Sequence, residues 1–354
     1  MISILQPLIP HYRSEFFKKL GKSTQFKLFT YEDSATLDRQ RLENSYIKSE
    51  HIWNIKLGPF LIYSPFGFLP SKQLVLMLHI GHLTTWLLLF TKFIHKKEII
   101  LWGHGISVKR YLVEEKKPSL LMKLMIKLSD KIWLYTEKEK KIWKDVFPDK
   151  LIVSLNNTID GLGEIALNKN LIKDEIKIKH KIRHDKCFIF CARFETPHRR
   201  VDLLIQLITK YQKNYGFIII GAGKFKPDFS SFDNVYDYGS LYDTAIKNDL
   251  FFIADIYIQP AWVGLSIVEA MAHSLPIFTF KRSADVLQCV EYEYLIDGYN
   301  SMIFDDLDSF YDRFSCLSDD EIVVMGEHAR DYVQKNLTMQ VMVENAQNSF
   351  NKTK

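Results

Sequence analysis

Short apolar runs recur along the chain, each closed by a turn and followed by a longer amphipathic or charged segment. In the first half they are ISILQPL, QFKLFTY, LVLMLHI, EIILWGHG, KIWLYT and LIVSLNNT; in the second, FIFCAR, GFIIIGAG, NVYDYG, ADIYIQP and PIFTF. Strands alternating with helices in this way predict parallel sheets, so each half reads as a doubly wound, Rossmann-like α/β domain. Between the halves, Gly161 to Lys186 is rich in charge and poor in aromatics, which predicts a boundary there, with domains at 1–165 and 166–354. From Ser318 onward the pattern is helical without a strand signal, and the last helix is available to pack back on the N-terminal domain. Two parallel-sheet domains in tandem turn the carboxyl ends of their strands toward a shared central cleft, so function is expected in strand-end loops.

Composition narrows this little. The 354 residues are too many for one ordinary core and suit two domains, and 47% hydrophobic with 25% charged residues excludes disorder and fibrous repeats. A net charge of +5 is mild, and no stripe of interleaved basic and aromatic residues supports a nucleic-acid binder. Cys187, Cys191, Cys289 and Cys316 are scattered, which fits a reduced, cytoplasmic compartment. The start, MISILQPLIPHYR, lacks a basic leader and reads as a buried strand rather than a signal peptide. The longest apolar window, Leu74 to Phe90, is shorter than the roughly 20 residues of a membrane span and is broken by His79, Gly81 and His82, so it reads as strand, turn and helix.

Five stretches offer chemistry. In QPAWVGLSIVEAMAHSLPIFTF the strand ends at Pro260, Gly264 allows a tight turn, and the free amides of Gly264, Leu265 and Ser266 at the helix start suit a phosphate. Glu269, one turn in, is placed to accept hydrogen bonds from a diol; its alternative is a glutamate that only compensates the helix dipole. In CARFETPHRRVDLLI, Arg193 and the His198, Arg199, Arg200 cluster precede a helix, where cations oppose the dipole unless they serve an anion. GAGKFK has Gly221 and Gly223 but Lys226 at the third glycine position, so the dinucleotide fingerprint fails; the two glycines remain candidates for close approach to a nucleotide. In the first half, His104 lies between Gly103 and Gly105 at a strand end, and IPHYR puts His11 and Arg13 at the end of the first strand. No aspartate pair or His/Cys cluster has metal-ligand spacing. Tyr236, Tyr238 and Tyr242 are candidates for stacking on a base.

The segment KKPSLLMKLMIKLSDK admits two readings. With Lys123, Lys127 and Lys131 on one stripe and Leu120, Leu121, Leu124, Met125 and Leu128 opposite, it suits an anionic membrane surface. An outer helix with its apolar face packed inward has the same pattern.

Taken together, ILQPLIPHYRSEFFKKL, IILWGHG, LYTEKEKKIW, NNTID, RFETPHRRVDLLI, VGLSIVEAMAHSLPIF and EYLIDGYN resemble glycosyltransferase family 4, retaining sugar transferases of the GT-B fold, over most of the chain. The resemblance implies that Glu269 contacts the nucleotide ribose, that Arg193 and Arg199 stabilise the leaving diphosphate, that the Gly264 to Ser266 amides meet the donor, and that His104 lines the reaction centre. Asn157 and Asp160 match the interdomain hinge. Of the family's two glutamates, the first falls on Ala261, and PAWVGL is similar to branches that tolerate its absence.

The implied function is retaining, metal-independent transfer from a UDP- or GDP-linked sugar, with no cofactor, to a glycan or lipid-linked glycan in bacterial surface-polysaccharide synthesis, lipopolysaccharide or capsule. The acceptor side would include His11 and Arg13, at the inner face of the cytoplasmic membrane. The rivals are a catalytically degenerate nucleotide-binding scaffold and a GT-B sugar-nucleotide epimerase.

Overall fold

The computed structural model describes residues 1–32, 48–162, 165 and 172–351, with the backbone alone at His11 and Asn351. Its contacts gather into two units, Met1–Asp160 with the C-terminal helix, and Gly161–Thr338.

The first unit contains β1 (Ile2–Gln6), α1 (Ser14–Gly21), β2 (Phe26–Thr30), β3 (Glu50–His51), β4 (Asn54–Leu57), β5 (Phe60–Tyr63), β6 (Gln73–Met77), α2 (Leu83–Phe90), α3 (Lys92–His95), β7 (Glu98–Trp102), α4 (Tyr111–Glu114), α5 (Leu120–Leu128), β8 (Lys131–Leu134), α6 (Glu137–Val146) and β9 (Leu151–Ser154). One parallel sheet runs β3-β2-β1-β6-β7-β8-β9, and β4 and β5 form a separate antiparallel hairpin. Strand order reverses between β1 and β6, which is the doubly wound pattern the apolar runs predicted. β7 and β8 are buried almost throughout because helices cover both faces of the sheet.

The second unit contains α7 (Lys173–Lys179), β10 (Lys186–Cys191), α8 (Val201–Lys210), β11 (Tyr215–Ile220), β12 (Val235–Asp237), α9 (Thr244–Ile253), β13 (Ile256–Ile258), α10 (Ser266–Ala272), β14 (Ile277–Phe280), β15 (Ser301–Phe304), α11 (Leu307–Ser315) and α12 (Asp319–Asn336). Its parallel sheet runs β12-β11-β10-β13-β14-β15, with the reversal between β10 and β13. The period-two alternation along β10 sends Cys187 and Ile189 into a core of aliphatic side chains with Ile218, Ile267 and Met271. Phe188 and Phe190 enter an opposite core rich in phenylalanine, with Phe217, Phe278, Phe304, Phe310 and Phe314. Each such ring contributes about 1.5–3 kcal/mol by leaving water.

The chain then closes on α13 (Met339–Asn351), which belongs to the first unit and packs on α1 and β9. There the Trp133 indole donates to Ser349 Oγ at 2.7 Å and Lys131 Nζ to Ser349 O at 2.7 Å. Lys131 is therefore no part of an exposed lysine stripe on α5. It is a buried residue of β8, paired with Glu98 at 2.5 Å. The apolar face of α5 also divides: Met125 and Ile126 are buried, whereas Leu120, Leu121 and Leu124 are exposed. All eleven apolar runs became strands, but the pattern missed β3, the hairpin and β15. No described helix is long and apolar enough to cross a membrane.

Candidate functional site

The sequence candidates of the second unit meet where strand order reverses, at the carboxyl ends of β10 and β13, the place where open α/β sheets bind ligands. β10 ends at Cys191, and the loop after it carries Arg193 and a short 3-10 turn, Pro197–Arg199, in which Thr196 Oγ1 accepts the His198 amide. β13 ends at Ile258, and its loop carries Trp262 and the start of α10. The two loops interlock. Arg199 Nε donates to Arg193 O, Arg199 Nη1 lies 3.4 Å from Trp262 O, and the His198 ring stacks on Trp262 with centroids 5.1 Å apart. Trp262 holds a left-handed φ of 57°, a conformation that costs a non-glycine residue energy and that its neighbours must over-determine.

A polar spine beneath the loops does so. The Tyr257 hydroxyl lies 2.9 Å from both Cys191 O and Gln259 Oε1, Ser266 Oγ donates to Gln259 Oε1 at 3.0 Å, and Gln259 Nε2 donates to Trp262 O at 2.7 Å. Gln288 Oε1 accepts the Val263 amide at 2.9 Å. With the loop so fixed, no described acceptor takes the amides of Gly264, Leu265 and Ser266. Neither Arg193 nor Arg199 forms an ion pair among the described residues, and desolvation lowers the Arg199 pKa from its ordinary value. Two unpaired guanidinium groups and three free amides make this corner a site for an anion.

Glu269 lies in the first turn of α10 and is half-buried. Its Oε2 accepts from Lys247 Nζ of α9 at 2.6 Å, a partner that no signal in the sequence announced. Oε1 has no described partner, so the carboxylate can still accept from a hydroxyl. Ala261 is fully buried in the phenylalanine-rich core, where an acid would lose its hydration.

The glycines at the end of β11 have a packing reason. Gly221 and Gly223 hold φ of 146° and 145°, and a Cβ would come within 2.1 Å of Ala192 O and 2.5 Å of the Phe194 carbonyl carbon. Their missing side chains let this loop lie against the Arg193 loop, which is reason enough for glycine without a nucleotide. Tyr236 and Tyr238 are also committed internally, the first to His184 Nδ1 at 2.7 Å and the second to His180 O at 3.4 Å, which leaves Tyr242 as the exposed ring of the three.

In the first unit, Gly103, His104 and Gly105 follow β7. The flanking glycines do not serve mainly to bare the imidazole: a Cβ on Gly105 would meet Trp143 Nε1 at 2.4 Å, and one on Gly103 would meet Leu78 Cβ at 3.1 Å. The loop is instead held by Glu139 of α6, a fully buried residue that sequence reasoning passed over. Its Oε1 accepts the Gly105 amide at 2.9 Å, its Oε2 accepts the Tyr135 amide at 3.3 Å, and Trp143 Nε1 donates to Gly105 O at 3.2 Å. His104 is exposed to solvent and lies against the Tyr135 ring, with centroids 4.5 Å apart. Although the residue keeps exposed surface, the protein packed about its ring and then the Arg13 charge lower its pKa, so the ring is neutral at pH 7.

Arg13 is not open to an acceptor. It is buried, with its guanidinium bonded to Asn157 Oδ1, 3.8 Å from Met342 Sδ, and over the rings of Trp102 and Tyr135 at 5.4 Å. It forms the wall behind His104. Asp160 Oδ2 accepts the Glu15 amide at 2.7 Å, so the NNTID stretch is tied to the start of α1. His11 opens the 3-10 turn His11–Arg13, and its side chain lies outside the described residues.

Residues 185–320 match the family model of glycosyl transferases group 1. An uncharacterized glycosyltransferase of Haemophilus influenzae is 27% identical over 177 residues, a match that covers 48% of this chain and 47% of that protein, about half of each. Among solved structures, Anabaena Alr3699/HepE in complex with UDP and glucose aligns over 99% of this chain and 98% of its own, with a TM-score of 0.67 and 10% identity. A glycosyltransferase from Rickettsia africae aligns over 99% and 97%, with a TM-score of 0.65 and 13% identity. The chain thus carries a glycosyl transferases group 1 domain at residues 185–320 on a GT-B fold.

Proposed function

We propose that this protein is a retaining glycosyltransferase of family 4, moving a sugar from a nucleoside-diphosphate donor to a glycan or lipid-linked glycan of the bacterial surface. The observation that carries this reading is the second unit's corner of two unpaired arginines, three free amides and one half-free carboxylate. A diphosphate would take the amides and guanidinium groups, and the ribose diol would bond Glu269 Oε1 while Lys247 keeps Oε2 occupied. The bound UDP of the Anabaena protein supports a uridine donor over a guanosine one.

In the step proposed, an acceptor hydroxyl oxygen bonds to the sugar's anomeric carbon on the face that the phosphate leaves. The bond from that carbon to the phosphate oxygen breaks, and the hydroxyl proton passes to the departing phosphate. Arg193, Arg199 and the amides stabilise the charge developing on the diphosphate, so no metal is required. His104, neutral at working pH, orients a sugar hydroxyl, and Arg13 holds the wall behind it. The acceptor side includes His11, and a lipid-linked acceptor places the protein at the cytoplasmic face of the membrane.

Thermal unfolding of the wild type and of Glu269→Ala against UDP, GDP, CDP and ADP tests the reading. A ligand at a hundred times its Kd adds about 2.7 kcal/mol. One diphosphate should raise the wild-type midpoint and lose much of that effect in the variant; no response to any of the four would sink the proposal.

A second reading draws on Ala261. With no acid there for the donor sugar, the protein would be a nucleotide-binding scaffold, giving the same midpoint shift but no sugar transfer or donor turnover.

A further inference from the structure

We propose that the β4–β5 hairpin, α2, α3 and the start of α5 together form a docking face for an anionic lipid bilayer. This deepens the membrane contact proposed above, but it uses no feature of the donor corner.

The face is apolar where a soluble surface should be polar. α2 buries Thr84, Thr85, Leu88 and Leu89, yet its outer stripe is Leu83, Leu87 and Phe90, all exposed. Phe93 and Ile94 of α3 continue that stripe at 77% and 69% exposure, and α5, which contacts α2, adds Leu120 at 78%. β5 is tied to α2 by Thr84 Oγ1, which accepts the Tyr63 amide at 2.9 Å and donates to Tyr63 O at 2.8 Å. The hairpin there exposes Ile55, Leu57 and Phe60. Exposed apolar side chains on α3, α5 and the hairpin, which all contact α2, mark an interaction site.

Charge selects the occupant. From Trp53 to Asp130 the sequence holds eleven lysines and arginines against four acids, a surplus of seven on a chain whose total is +5. Two of the four acids, Asp130 and Glu98, pair with Lys92 and Lys131, and Glu114 pairs with Arg110 at 2.6 Å. Lys96, Lys109, Lys116, Lys117 and Lys127 of the same segment stay exposed. A hollow of about 570 Å³ beside α3 is lined by Phe90 and Phe93 and by Lys92, Lys96 and Lys97 against Glu98 and Asp130, so that apolar rings and a small surplus of cations meet there, which suits an anionic headgroup and its acyl chain. A second copy of the chain fits poorly, because joining two such faces would oppose two surpluses of positive charge.

The test is co-sedimentation of the full chain with vesicles of phosphatidylcholine alone or mixed with phosphatidylglycerol. Wild type should bind the anionic vesicles, lose binding as salt rises, and bind phosphatidylcholine only weakly. K96Q/K116Q/K117Q should lower the partition about a hundredfold at low ionic strength, and F93S/L120S about tenfold or more, both leaving the unfolding midpoint unchanged. Wild type that ignores anionic vesicles, variants that bind as well as wild type, or a dimer in sedimentation velocity that F93S/L120S dissolves would each overturn the proposal. The midpoint shift with UDP is read on the same preparations, so failure of the donor-site reading shows separately.

Discussion

Glu139 offers the sharpest test of how the first unit positions His104. It is fully buried, and its two oxygens accept the Gly105 amide at 2.9 Å and the Tyr135 amide at 3.3 Å, so one side chain fixes the loops after β7 and β8. Hydrogen bonds to a charged group contribute about 1.5–3 kcal/mol each, and leaving the donors buried without an acceptor adds to the loss. The second bond is long, so we expect Glu139→Ala to cost about 3–5 kcal/mol. Glu139→Gln keeps one oxygen and should lose about half as much. Five of the six tryptophans, Trp53, Trp86, Trp102, Trp133 and Trp143, lie in the first unit, so intrinsic fluorescence in urea follows that unit's unfolding. The expected readout is a lower midpoint at unchanged slope. If the transfer reading holds, turnover also falls as His104 loses its support, while the midpoint shift with UDP, set in the second unit, remains. A Glu139→Ala variant within 0.5 kcal/mol of the parent would refute the reasoning, because it would mean that both amides find other acceptors at no cost.

Two further predictions follow from burial. Ala261→Glu, which restores the acid position of the family that the sequence resembles, should lower the second unit's stability by several kcal/mol, because the side chain enters a core lined by phenylalanine; tighter UDP binding with no stability loss would contradict this. His82 and His273 are both buried, and each has its pKa lowered to about 4, His82 by desolvation and then by His79, His273 by desolvation and then by Lys247 and Arg330. Unfolded imidazole, near 6.5, takes up protons first as pH falls, so stability is complete above about 6.5 and is lost toward 4, about 1.4 kcal/mol per histidine between pH 7.5 and 5.5. Asp160, raised to about 6 mainly by desolvation, works the other way by under 1 kcal/mol over that range. Urea unfolding at the two pH values should therefore give a net loss at 5.5, and an unchanged or greater stability there would count against it.

What the sequence made legible followed from periodicity. Strands buried on both faces show as apolar runs whatever their partners, so most of β1, β2, β6 to β9 and β10 to β14 could be read before any contact was known; β12, half-buried at the sheet edge, was marked by the valine, tyrosines and closing glycine of NVYDYG. The strands it hid span only two to four residues each. β3 spans only Glu50 and His51, both exposed; β4 alternates polar and apolar residues at the surface; β5 and β15 are apolar, but each is only four residues long. The site divides in the same way. Arg193, Arg199, the 264–266 amides and Glu269 were visible because strand-end loops concentrate charge and glycine. The residues that hold them in place were not: Lys247 sits mid-helix twenty-two positions before Glu269, and Tyr257 and Gln259 look like ordinary strand residues until Gln259 is seen bonding both Tyr257 and the carbonyl of a left-handed Trp262. The glycines misled for the opposite reason. A glycine that admits a ligand and one that admits a neighbouring backbone or a tryptophan look alike in a sequence, and at Gly105, Gly221 and Gly223 the second is what the packing requires. Chemistry displayed at a strand end can thus be read from local sequence, whereas support that arrives across the fold, as Glu139 arrives beneath His104, belongs to a contact between α6 and the β7 loop that no local pattern encodes.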